Sequence, residues 1–469
     1  MKSNKLFHLV SLGCPKNRVD SERILFVMSR AGFSHTDDPT RADAIVINTC
    51  AFIEPAVEES IDAVLDARHT NSTAALVVAG CLPQRFGADL VEPLPEVDVF
   101  LPLDRMGELP RFIMSALARR GQDHSRYGGR GKVPDGREDE AVCKPQDHET
   151  DCSRILSTPG YAYLKIAEGC SRRCRFCTIP AIRGPLSSVD PVDLEREASK
   201  LASLGVRELV LVAQDLTAYG VDRGERSGLT GLLRRLRHVE GIAWIRLMYL
   251  HPDGIPRDLP HVINESDNIL PYLDIPFQHV SENVLRAMGR PGKGDRIRKL
   301  IERLRGEIPG LVLRSTFIVG FPGEGDKEFE ELARFVESFQ LEHVGVFAYS
   351  PEEGTPAFHL GDPVPPEVKQ DRVEAIQYTH SRFMEKRNRD RVGRLERCLV
   401  EGLSEESDLL LQGRVWDQAP EIDGALLITA GRAVQGEMRT VRITDSHASD
   451  LFGELIDGDS ECPPDQYET

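Results

Sequence analysis

No run of about 18 apolar residues occurs in this sequence, so a transmembrane helix is not expected. The opening stretch MKSNKLFHLVSLGC lacks a long apolar core and an A-x-A site, so a secretory signal is not expected either. Tandem repeats and long low-complexity tracts are also missing. Positive charge is in deficit, with 58 basic against 75 acidic residues and a net charge of −17. Phosphates must be met by Lys and Arg, so that deficit argues against broad, non-specific nucleic-acid binding. What is present is an ordinary globular composition, 40% hydrophobic and 28% charged. At about 150 residues per domain, 469 residues suggest three domains and ample core, with no need of a disulfide scaffold. A cytoplasmic protein without membrane contact is expected. There, the ten cysteines point to metal or redox chemistry rather than disulfides.

The first ~120 residues alternate short apolar runs with amphipathic stretches. Phe7–Leu12, Ala44–Thr49 and Ala75–Ala79 read as buried parallel strands, with helices at Val19–Ala31 and Ala56–Ala67. The segment Gly121–Ser153 is polar and charged and reads as a linker. Strands are expected next at Tyr161–Ala167, Glu208–Ala213, Trp244–Leu250, Tyr272–Ile275, Leu313–Val319 and Val344–Tyr349. Amphipathic segments such as Asp193–Leu204 and Gly294–Leu304 lie between them. Six strand-plus-helix units fit a partial (β/α) barrel. After about Gly393, five short β-like runs with Gly-containing turns fit a small OB-like barrel.

Cys170, Cys174 and Cys177 form C-x3-C-x2-C just after the first barrel strand, where barrel active sites are built. Thiolates are the usual ligands of iron–sulfur clusters, and three of them leave one iron of a 4Fe–4S cluster open to a small molecule. A three-ligand zinc site or a redox cysteine group is the alternative. Cys14, Cys50 and Cys81 are far apart in sequence, yet each follows an expected strand: HLVSLGC, IVINTC and LVVAGC. In a parallel sheet such positions converge at the carboxyl edge, where ligands bind. Cys143, Cys152, Cys398 and Cys462 read as incidental.

CSRRCRFC resembles the signature of radical S-adenosylmethionine (SAM) enzymes. SLGCPKNRVDSE, NTC at Asn48–Cys50 and AGC at Ala79–Cys81 resemble the N-terminal domain of the methylthiotransferases. The final β-rich region resembles a TRAM domain. The resemblance implies an α/β fold in three modules. These are an N-terminal flavodoxin-like parallel-sheet domain (1–120), a central partial (β/α) radical SAM barrel (156–390) and a C-terminal OB-like TRAM β-barrel (391–469), with a linker at 121–155. One branch of the family modifies an adenosine in tRNA, and the RimO-type branch modifies the β-carbon of an aspartate on small-subunit ribosomal protein S twelve. GCPKNRVDSE, VAQDLTAYG, DIPFQHVSENVLRAMGR and RVWDQAPEIDG are similar to the second branch.

The resemblance further implies two 4Fe–4S clusters, one on Cys170, Cys174 and Cys177 with SAM at its open iron, the other on Cys14, Cys50 and Cys81. The net reaction is C–H to C–S–CH3, with an external electron donor. The clusters and SAM carry the hard chemistry, so no side chain is assigned as acid or base. Candidate SAM contacts are Gln214, Gln278, Arg314, Ser315 and Glu324, at or near barrel strand ends. Gly320–Glu324 permits a tight turn near a ligand. His279 is expected behind the ligand, and Arg172, Arg173 and Arg175 bring positive charge to the cluster loop. Residues 395–469 hold 17 acidic and 5 basic side chains. An acidic module suits a basic partner such as a ribosomal protein, or the small ribosomal subunit, and disfavours tRNA.

Overall fold

The computed structural model describes residues 5–122, 154–158, 160–225, 227–290, 294–404 and 407–456. Most of the expected linker, and with it Cys143 and Cys152, lies outside the described residues, as does Cys462. The chain divides into two compact units.

The first unit comprises Met1–Ser157 with the pieces Glu168–Ser171 and Cys177–Pro185. Its strands are β1 (Lys5–Ser11), β2 (Phe33–His35), β3 (Ala44–Thr49), β4 (Ala75–Gly80) and β5 (Val99–Leu101). All pair in parallel in the order β2-β1-β3-β4-β5, the flavodoxin-like arrangement. β3 and β4 are buried at every position, as strands covered on both faces must be. The short strands β2 and β5 escape the sequence reading because three residues are too few to show a period. Helices α1 (Pro15–Arg30), α2 (Glu54–Thr70), α3 (Cys81–Phe86) and α4 (Leu109–Gln122) flank the sheet. Ile24, Met28, Leu109 and Ile113 cover one face; Val64, Leu82 and Leu90 cover the other. Helix α5 (Ile179–Arg183) adds Ile182 to the second core.

The second unit holds six parallel strands: β6 (Tyr161–Lys165), β9 (Glu208–Val212), β10 (Trp244–Leu247), β11 (Ile269–Asp274), β12 (Val312–Val319) and β13 (His343–Ala348). Two-residue strands β7 (Ala167–Glu168) and β8 (Ser187–Ser188) bracket the cysteine loop in sequence. The six pair in chain order, each return made by a segment carrying α6 (Pro191–Ser203), α7 (Gly228–Leu236), α8 (Leu259–Asn264), α9 (Glu282–Ala287), α10 (Gly294–Glu307) or α11 (Asp326–Phe339). This is the expected partial barrel. Helix α12 (Pro366–Arg389) leads to β14 (Leu395–Ser404), β15 (Ser407–Val415), β16 (Leu426–Ala430), β17 (Met438–His447) and β18 (Asp450–Leu455). These five close into a barrel in the order β14-β15-β16-β18-β17, with Cys398 fully buried in its core.

A column of charge runs inside this unit. Glu208, at the start of β9, accepts from Arg246 at 2.7 Å and from Arg414 of the closed barrel at 2.6 Å. Arg246 lies 4.5 Å over the Tyr272 ring, and the Tyr272 hydroxyl donates to Asp423 at 2.7 Å. Burial pushes the Glu208 pKa up, but the two guanidiniums outweigh it and hold the carboxyl below its usual range. Glu208 and Tyr161 sit at the amino ends of their strands, where Tyr161 donates to Glu421 at 2.7 Å. The β-domain therefore covers that end, leaving the carboxyl ends for chemistry.

This changes the reading of the acidic C-terminal segment. Five of its 17 acidic residues pair with guanidiniums: Glu396 and Asp417 with Arg391, Glu401 with Arg414, Asp423 with Arg314 and Glu437 with Arg439. Its surface is less acidic than its composition.

Candidate functional site

The N-terminal site is built where the strand order reverses, at the carboxyl ends of β1, β3 and β4. Thr49 pairs with Gly80, so Cys50 and Cys81 leave adjacent strands at the same level. Cys14 follows β1 and precedes α1, which opens with Pro15 at the first helical position, where its missing N–H costs nothing. Two glycines let the backbones approach. Gly13 has φ +89°, and a methyl there would lie 2.7 Å from Cys50 Cβ. Gly80 has φ +96°, and a methyl there would lie 2.5 Å from Asn48 Oδ1.

A polar cradle surrounds the thiols. Asn17 donates to the carbonyls of Leu12 and Thr49, and Asn48 donates to the Asn17 carbonyl and the Ser21 hydroxyl. Asn48 Oδ1 is buried with no hydrogen-bond partner. Arg183, 8% exposed, donates to Cys81 Sγ at 3.4 Å, to Asn17 Oδ1, to Asp20 at 3.2 Å and to Glu168 at 2.9 Å. Burial pushes the Cys81 thiol up to about 12, with the charge of Cys50 and Cys14 adding to it and Arg183 opposing. Cys50 is likewise raised, first by burial and then by Cys14. The three thiols thus share one electrostatic site, and iron in place of the protons would relieve its cost. Sequence reasoning missed Arg183, Asn17 and Asn48. Its available signal was a lone arginine in the apolar run IPAIRG, since a buried charge needs partners.

Among the described residues, no three His, Cys, Asp or Glu side chains stand close enough to hold a single metal ion. A cluster is a different case, because each thiolate binds its own iron and the ligand sulfurs stand apart. The convergent thiols, the unpartnered amide oxygen and the glycine clearances fit that group.

The C-x3-C-x2-C loop starts at Gly169 (φ +70°), where a methyl would collide with the Pro185 carbonyl at 2.1 Å. All three of its cysteines are half-buried thiols. The Arg175 amide donates to the Met288 carbonyl, its carbonyl accepts from Ala357, and Phe176 stacks edge-on to Phe321 at 6.3 Å. Arg172 is not a solvated charge: it pairs with Asp215 at 2.7 Å.

The expected SAM contacts divide. Gln214 follows β9 and Gln278 follows β11, both half-buried at the open end. Gln278 (φ +70°) and Tyr249 (φ +61°), just past the ends of β11 and β10, hold left-handed backbones that disfavour side chains. Such strain is concentrated at ligand sites. The other three are occupied by the fold. Arg314 pairs with Asp274 at 3.6 Å and Asp423 at 3.3 Å; burial lowers its pKa, but these carboxylates raise it further. Ser315 donates to the Ile275 carbonyl at 2.8 Å and is fully buried. Glu324 accepts from the Gly320 amide at 2.7 Å and from Arg372 at 3.0 Å, while Gly325, not Glu324, caps α11. Burial pushes Glu324 up to about 7, with Arg372 opposing. Gly320 makes room for the Lys369 stem, which a methyl would meet at 2.4 Å, rather than for a ligand. His279 is fully buried and accepts from the Ser281 amide at 2.9 Å, a place behind the site. Burial lowers its pKa to about 3, and that of His251 to about 3 with help from Arg290 and Arg172, so both are neutral imidazoles.

Three family models match the chain: the uncharacterized protein family UPF0004 over residues 6–102, the radical SAM superfamily over 164–336 and the TRAM domain over 392–456. The chain is 46% identical over 455 residues to the ribosomal protein uS12 methylthiotransferase RimO of Trichlorobacter lovleyi, covering 96% of this chain and 98% of that protein. It is 45% identical to the protein of that name from Geotalea uraniireducens, over 96% and 98% of the two chains. Among solved structures it is similar to the radical SAM methyltransferase TsrM of Kitasatospora setae, at TM-score 0.52 and 16% identity over 76% and 77% of the chains, a likeness of fold. With these relatives matched along nearly their whole length, the chain belongs to the RimO family of radical SAM methylthiotransferases.

Proposed function

We propose that this protein methylthiolates the β-carbon of an aspartate on ribosomal protein uS12. The observation that carries the reading is the whole-length similarity to relatives named for that reaction, in a chain with two cysteine trios at carboxyl ends of parallel strands. Cys170, Cys174 and Cys177 would hold one 4Fe–4S cluster, and Cys14, Cys50 and Cys81 the other. When bound, the clusters and SAM supply the radical chemistry and the sulfur that replacing an unactivated C–H bond demands. Gln214, Gln278 and the Tyr249 turn would position SAM, while Arg183 and Asn17 hold the N-terminal thiols in place. The electron comes from an external donor. No helix among the described residues is long and apolar enough to cross a membrane.

The test is anaerobic reconstitution with iron, sulfide and SAM, offering uS12 and tRNA separately. The expected result is a mass gain of one methylthio group on uS12 and none on tRNA. Gain on tRNA alone would overturn the assignment.

A further inference from the structure

A cleft of about 540 Å3 opens between the turn after β10 and helix α10. Arg257, Arg290, Arg296, Lys299 and Arg303 line it, against one carboxylate, Asp253. In a chain of net charge −17, composition alone does not produce such a cluster. Elsewhere in this unit several cations are paired, as Arg223, Arg234, Arg235 and Arg246 are. Among the described residues here, only Arg303 has a carboxylate, Glu307 at 3.2 Å. Arg290 donates through Nη1 to the Pro276 carbonyl at 2.7 Å, and its Nε is buried with no partner. Arg257, Arg296 and Lys299 have neither ion pair nor hydrogen bond among the described residues.

Three of the cations form one stripe on α10. Arg296, Lys299 and Arg303 are three and four residues apart, hence neighbours on one face. Like charges at this spacing destabilise an isolated helix, so an anion that joins them relieves a built-in cost. The stripe spans about 10 Å at 1.5 Å per residue.

We propose that this cleft binds the phosphate backbone of RNA, so that uS12 is taken in its RNA-bound setting, the small ribosomal subunit. The inference rests on the function proposed above. It adds where the target is presented. Guanidinium and ammonium groups facing several directions suit repeated phosphates, and recognition of this kind carries no base specificity.

The reconstituted holoenzyme and its R296Q/K299Q/R303Q variant would be titrated with a labelled single-stranded oligoribonucleotide at several salt concentrations. The variant should bind about tenfold more weakly at low salt, with a slope of log K against log salt smaller by about two. Both enzymes would then be offered free uS12 and intact small subunits. The variant should keep the wild-type rate on free uS12 and lose rate on subunits. Equal RNA binding by both enzymes overturns the inference. So does displacement of the RNA by equimolar inorganic phosphate, the mark of a free-anion site, or loss of polyglutamate binding in its place, the mark of an acidic protein segment. A wild-type enzyme that modifies uS12 in neither form defeats the underlying function instead. One that modifies both, with the variant matching it on subunits, defeats only the cleft.

Discussion

The two cysteine trios make an instructive pair. Both stand at carboxyl ends of parallel strands, yet the fold supports them differently. In the N-terminal sheet, one cysteine comes from each of three strand ends, and 30 or more residues separate them. Position there depends on tertiary contacts, so the fold surrounds the thiols with Asn17, Asn48, Asp20 and a buried Arg183. In the barrel, eight consecutive residues carry all three ligands, and local chain geometry fixes most of their spacing. The barrel spends its buried charge elsewhere, on the column from Arg414 through Glu208 to Arg314 that covers the opposite end. Ligands scattered in sequence need a cradle; ligands gathered in sequence need only an anchored loop.

The sharpest test of the contrast is ligand removal. Cys174→Ala and Cys50→Ala should each abolish methylthiolation and lower iron from about eight to about four per chain. Only Cys174→Ala should also abolish SAM cleavage, read as 5′-deoxyadenosine release. Equal loss of cleavage in both variants would erase the distinction between the sites.

Next in size is the barrel's charge column. Glu208→Gln leaves Arg246 and Arg414 buried without their carboxylate and should cost about 4 kcal/mol by denaturant unfolding. The absorbance of the N-terminal cluster, in a Cys174→Ala background, should not change. A spectral change there would mean that the two supports are not separate.

Arg183→Met tests the cradle. Burial disfavours the charged guanidinium, but Cys81, Asp20 and Glu168 hold it protonated. Its loss should cost about 3 kcal/mol and leave two carboxylates unpaired. In the Cys174→Ala background it should also shift the remaining cluster's electron paramagnetic resonance signal. Arg183→Lys should restore part of the stability and little of the signal, because an ammonium cannot serve four acceptors in one plane.

The smallest effect concerns acid. His279 is neutral in the fold down to about pH 3, held there first by burial and then by Arg372 against Glu328. An unfolded histidine takes up a proton near pH 6.5. The unfolded chain then binds more protons between about pH 6.5 and 3, so stability falls as pH falls through that window. At pH 5 the loss is about 2 kcal/mol, at 1.36 kcal/mol per pH unit. The N-terminal cradle of Asn17, Asn48, Arg183, Asp20 and Glu168 holds no buried histidine. Hydrogen exchange should show the barrel loosening before the sheet at pH 5, and His279→Gln should remove part of the difference, because His251 is held neutral in the same unit. Simultaneous loosening would remove acid sensitivity from the comparison.

Much of this was legible in the chain. Apolar runs marked β3, β4, β6, β9, β10 and β11 most clearly, because a strand buried on both faces must be apolar throughout. C-x3-C-x2-C was legible because its ligands are local. The strand–cysteine pattern of Cys14, Cys50 and Cys81 was legible only as a likeness of positions, which the order β2-β1-β3-β4-β5 turns into adjacency. Arg314, Ser315 and Glu324 looked like ligand contacts because polar residues in apolar strands suggest a site. In the fold they also meet Asp423, the Ile275 carbonyl and Arg372. Sequence periodicity reports that a side chain is buried, not what it meets.

Charge shows the same division. The sequence alone determined the net −17, the acidic final segment, the strand pattern and the identity of the six cysteines in the two trios. Tertiary structure alone decided which charges are consumed. It paired Glu401, Asp417 and Asp423 internally, and it left Arg257, Arg296 and Lys299 facing a cleft. The reason is physical: composition sums charges over the chain, whereas Coulomb energy depends on separation and burial, which only the folded chain sets.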